Sequence, residues 1–110
     1  MPARRREVIA TATDAKTYEL DRYVLDTLMA DLVSHDHRPS SFLVYLAIVA
    51  ASRRGRVILS YAELAERTGL SKRSAQMAVA ALQNRRLIDV RKGKATDPPE
   101  YVPLSPWRRN

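Results

Sequence analysis

The spacing of apolar positions changes several times along this chain, and each change marks an element. Between Thr17 and Ser34 one apolar row runs through Leu20, Val24, Leu28 and Leu32, and a second through Leu25, Met29 and Val33. Glu19, Asp21, Arg22 and Asp26 take the other side. Such spacing is that of an amphipathic helix, predicted over 17–34. Its apolar arc is wide. Either the small domain wraps tightly around it, or one row serves the core and the other a second copy; a homodimer through the N-terminal helices is the favoured expectation. FLVYLAIVAA, from Phe42 to Ala51, is apolar on nearly every side and predicts a buried helix over 40–52. Pro39 suits its start, and Arg53-Arg54-Gly55-Arg56 places cations and a glycine stop at its end.

From Ser60 the pattern changes again. Ser60 followed by Glu63 has the form of a capping box, Gly69 ends the helix so begun, and Ser71 offers a second N-cap. Leu64, Ala65, Ala75, Val79 and Leu82 fall where two helices would pack on each other, so a helix-turn-helix is expected over 60–86. Val57-Ile58-Leu59 is a β-prone run leading into it. Leu87–Val90 and Tyr101–Leu104 read as two more strands, closing a hairpin over 87–104 around Arg91, Lys92, Gly93 and Lys94. Residues 1–16 show no helix period, only a short β-prone run near Val8, and form a basic arm ahead of the domain at 17–110. Residues 105–110 form a tail. The expected fold class is mainly α with a small β-hairpin wing, with an extra N-terminal helix.

Length and composition narrow the chemistry. A chain of 110 residues is sized for one domain. It has no cysteine, which excludes disulfides, thiolate metal sites and a cysteine nucleophile. His35-Asp36-His37 is a poor metal site, since its imidazoles are two apart rather than four; these residues are better placed to cap the preceding helix. No Gly-rich phosphate loop, G-x-S-x-G elbow or H-E-x-x-H helix is present, so no enzyme, metal or cofactor is expected. No apolar run has membrane-spanning length and the N-terminus has no apolar signal region, so no membrane partner and a cytoplasmic, nucleoid-associated location are expected.

The formal charge of +7 points to a polyanion, and its distribution says where. Residues 17–52 carry a net −3, whereas residues 71–110 carry +6. The positive field therefore belongs to the second helix of the pair and everything after it.

The order S-x-A-E-L-A-x-x-T-G-L-S-K-R-S from Ser60 to Ser74, followed by N-R-R-L-I-D-V from Asn84 to Val90, resembles the winged helix-turn-helix of GntR-type regulators. It is also similar to helix-turn-helix modules of bacterial replication and regulatory proteins. With the flanking helix and hairpin, the resemblance covers Phe42 to Leu104. It implies a double-stranded DNA-binding protein, expected to regulate transcription by occupying a site; the alternatives are a replication- or partition-associated factor and a protein- or RNA-interaction module. GntR-type regulators carry a separate effector domain, which this chain lacks, so no small-molecule effector is expected. They also commonly have arginine at the place of Gln76, so their operator preference does not carry over.

The residues themselves suit a duplex. With Ala75, Val79 and Leu82 inward, the second helix turns Lys72, Arg73, Gln76, Met77 and Ala80 outward. Arg73 can pair with guanine, Gln76 with adenine, and Met77 or Ala80 can meet a thymine methyl. Ser71, Lys72, Ser74 and the Tyr61 hydroxyl suit phosphates, as do Arg91, Lys92 and Lys94 of the hairpin. Arg4, Arg5 and Arg6 either reach DNA or form a solubilising tail, and Arg108 and Arg109 are further backbone candidates. Trp107 either stacks on a base or pins the tail to the domain; a lone terminal aromatic more often does the second.

Overall fold

The computed structural model describes residues 16–108. The arm readings at Arg4, Arg5, Arg6 and near Val8, and Arg109 at the other end, lie outside the described residues. Within them the chain forms four helices and a three-stranded antiparallel sheet, an arrangement compatible with a winged helix. No described helix is long and apolar enough to cross a membrane.

The first helix, α1, spans residues 22–35, starting later than the apolar pattern predicts. It is also wound differently. Val24–Leu28 and Asp31–His35 are π-helical, closed by bonds such as Met29 N–H to Val24 O and Asp36 N–H to Asp31 O. The apolar row explains the winding. Residues four apart overshoot one α-turn by about 40°, so a strict four-residue row drifts around an α-helix. They fall short of one wider π-turn, and alternating the two keeps the row in line. Val24, Leu28 and Leu32 are accordingly all at most 2% exposed. The second row is not covered among the described residues: Leu25 is 50% exposed, Met29 41% and Val33 39%.

Helix α2, Pro39–Ala51, begins on its proline and buries Phe42, Val44, Tyr45 and Ile48. It packs against α1, both later helices and the last strand. Arg53–Arg56 does not cap it, contrary to expectation. The helix stops at Ser52, whose hydroxyl donates back to Ile48 O at 2.7 Å. The four residues then make a separate tight turn, with Arg54 and Gly55 both at positive φ and Arg53 bridged to Arg56. That is the backbone of a two-residue hairpin turn.

Strand β1, Val57–Ile58, leads into α3, Tyr61–Thr68, and then α4, Lys72–Asn84. Strands β2, Ile88–Arg91, and β3, Glu100–Pro103, form the hairpin, with Ile88 opposite Pro103 and Arg91 opposite Glu100. β3 lies between β1 and β2, and its Tyr101 is fully buried. One core joins all of these elements.

The tail closes the structure. Trp107 stacks on Tyr23 with ring centroids 4.7 Å apart and meets Tyr45 edge-on, so the packing reading of this residue holds. Its indole N–H donates to Asp21 Oδ2 at 2.8 Å, and Arg108 donates to both Asp21 oxygens at 2.6 and 2.7 Å. Tyr45 donates to Leu104 O at 2.8 Å beneath this clasp, and burial, with Asp21 nearby, pushes its phenol up to about 12.

The bonds from Arg108 and then Trp107 hold the Asp21 carboxyl at about 2, against 3.8 for the free side chain. A depressed carboxylate stabilises the fold fully above its unfolded value and loses that contribution as pH falls through the folded value. Asp21→Asn is therefore expected to lower stability at pH 6 by about 1 kcal/mol, the scale of a charge-assisted bond at a partly exposed site. Thermal melts should show the gap between wild type and variant closing between pH 4 and pH 2.

Candidate nucleic-acid interface

The α3–α4 pair is built by local hydrogen bonds that its own sequence supplies. Ser60 N–H donates to Glu63 Oε1 at 2.8 Å and Glu63 N–H donates to Ser60 Oγ at 3.1 Å, completing the capping box. Those bonds hold the Glu63 carboxyl below its ordinary value. At the other end Thr68 Oγ1 donates to Leu64 O and accepts from Leu70 N–H, while Gly69 N–H closes on Ala65 O at 2.8 Å. Gly69 itself sits at φ +80, the left-handed conformation that a helix stop requires. Ser71 then caps α4 by accepting from Ser74 N–H at 3.0 Å. Only Gly69, Leu70 and Ser71 separate the helices, so their relative direction is tightly set.

Helix α4 is divided lengthwise. Ala75, Ala78, Val79 and Leu82 are buried, and the small alanines let the helix lie close on α2 and α3. Lys72, Arg73, Gln76, Met77 and Ala80 are all exposed on the opposite side, as is Ser71 at the N-cap, while Ser74 is half-buried. These residues share one face. Tyr61 is half-buried with its ring against the core, at the start of α3.

The hairpin supplies a second group. Arg91, Lys92 and Lys94 are exposed, and the tip between them is a defined turn rather than a loose loop. Lys94 N–H donates to Asp97 Oδ2 at 3.0 Å, and Asp97 N–H donates to Lys94 O at 2.9 Å. A Cβ at Gly93 would come within 2.8 Å of Asp97 Oδ2, so a side chain there would push that carboxylate aside. Pro99 is buried and its carbonyl accepts Leu59 N–H at 3.2 Å, anchoring the return limb beside β1.

Other cations are engaged within the fold. Arg108 is committed to Asp21, and Arg56 lies 3.7 Å from Glu100. Arg85, in the helix-end turn, donates to Asp36 at 2.6 Å and lies 3.9 Å from Asp31. Asp36 thus serves as a tie between α1 and α4, a role its neighbourhood with two histidines did not signal. Among the described residues no group of three or more His, Asp or Glu side chains is arranged to hold a metal ion. Arg86 follows at φ +59, and Leu87 N–H reaches Leu82 O at 2.9 Å, so α4 ends in a left-handed cap built on arginine rather than glycine. Comparison with protein-family models, curated proteins and solved structures finds no match to this chain.

Because nothing lies within 4 Å of a Cβ built on Gly69, replacing it tests backbone conformation alone. Gly69→Ala is expected to cost about 1–2 kcal/mol, the penalty of placing an L-residue in the left-handed region. Urea unfolding followed by circular dichroism would measure it, with an unchanged m-value expected.

Proposed function

We propose that this chain is a winged helix-turn-helix protein that binds double-stranded DNA sequence-specifically and regulates transcription by occupying its site. The observation that carries the reading is the outward face of α4, where Lys72, Arg73, Gln76, Met77 and Ala80 stand exposed on a helix fixed by its caps and its buried face. An α-helix fits the major groove, and short polar residues and cations near its N-terminus suit base edges and phosphates. Arg73 pairs with guanine and Gln76 with adenine in this reading. Ser71, Lys72 and Ser74 face phosphates, as does the hydroxyl of Tyr61. Arg91, Lys92 and Lys94 bring the hairpin to the backbone as a wing.

Arg73→Ala is expected to weaken a selected duplex by about 1–3 kcal/mol and relax one base position, whereas Lys92→Ala or Lys94→Ala should weaken every duplex alike. Anisotropy titrations against a selected and a random duplex separate the two behaviours. A protein- or RNA-interaction module would bind neither duplex at moderate salt.

The same reading makes the protein a homodimer through α1. Leu25, Met29 and Val33 leave an exposed apolar row flanked by the Arg22–Asp26 ion pair, a surface that brings both charge signs to a two-fold axis. Two copies would then read half-sites about one helical turn apart, ~34–36 Å. Met29→Glu is expected to halve the mass measured by light scattering at micromolar concentration. A monomeric wild type would overturn this arrangement without touching the DNA assignment.

A further inference from the structure

The turn between α1 and α2 stands beside the outward face of α4. The hydrogen bond from Arg85 to Asp36 at 2.6 Å ties it there, with Asp31 as a second, longer partner. His37 then takes φ +56, and Arg38 N–H closes on Leu32 O at 2.8 Å, which fixes the direction in which the chain leaves α1. Arg38 is left on the wall of an open cavity of about 390 Å³ that it shares with Met77, Ala80 and Asn84.

The chemistry of that cavity favours an anion. Ala80 and Ala81 keep its floor shallow, and its other charged residues, Asp36 and Arg85, neutralise each other. Among the described residues no carboxylate forms an ion pair with Arg38. A polyanion lying along Met77 and Ala80 therefore meets a guanidinium that no ion pair among the described residues holds, presented from a different element and set beside the helix. In the DNA reading, that is the side on which a strand backbone bordering the groove would run.

We propose that Arg38 binds a backbone phosphate of the duplex whose groove α4 enters, an assignment that rests on the DNA reading above. The contact would set how far the C-terminal half of α4 enters the groove, since Asp36 and Arg85 fix the Arg38 turn to that half of the helix. It adds affinity without sequence information.

The test is a salt series of anisotropy titrations with the full chain against a selected and a random duplex, using wild type, Arg38→Ala, Arg38→Lys and Arg73→Ala. Arg38→Ala is expected to weaken both duplexes by the same several-fold factor and to lower the slope of log K against log salt by about 0.9, the value for one phosphate. Arg38→Lys should restore that slope, because a point charge suffices for a phosphate. Wild-type affinity and slope in Arg38→Ala, with Arg73→Ala weakened, would remove this contact and leave the DNA reading standing. A loss confined to the selected duplex would overturn the phosphate assignment in favour of a base contact. A folded Arg38→Lys that fails to recover the slope would also overturn it, and a wild type that binds no duplex would remove both readings together.

Discussion

The burial of one side of α4 against α2 and α3 is the constraint on which the rest depends. Ala75 and Ala78 give the helix its close approach, and Val79 and Leu82 supply most of the apolar area. A buried aliphatic side chain contributes about 1.5–3 kcal/mol, so this inner face far outweighs any single polar residue on the outer one. The outer face is therefore free to carry cations and amide groups without affecting the fold. Substitutions there leave the packing untouched, whereas a change at Ala75 or Leu82 would move the whole face.

Charge is distributed by the same logic. The net +7 says nothing of which cations stand free, and Arg56, Arg85 and Arg108 each lie beside a carboxylate. These pairs link elements distant in sequence: β1 to β3, α1 to α4, and the tail to the start of α1. Among the described residues, the cations exposed at the start of α4 and along the hairpin make no such pair. A solvent-exposed cation contributes little to stability, so these side chains are the ones left open to charge in the surroundings.

How much could be read from the chain alone follows from the range of each interaction. The α3–α4 pair was legible because Ser60, Glu63, Gly69 and Ser71 act on backbone groups within four residues of themselves. The strands of the hairpin were placed within one residue for the same local reason, alternation in β2 and proline on the return limb. The winding of α1 was not legible as such, since a four-residue row fits an ordinary amphipathic helix until the position of α2 demands that it stay in line. Arg53–Arg56 misled because arginine and glycine suit a helix end and a tight turn equally. The tie from Arg85 to Asp36 and the clasp on Asp21 join residues 49 and 87 apart, a pairing that no local pattern carries.

The clasp has a kinetic meaning. It joins Asp21 to Trp107 and Arg108, near the two limits of the described chain, so its loop closes at little cost only after the intervening helices and sheet have gathered. Contacts formed after the folding barrier scarcely alter the rate at which a protein folds and govern instead how long it stays folded. On that account Trp107 and Arg108 slow unfolding by the several-fold factor that about 1 kcal/mol allows and leave the folding rate nearly unchanged.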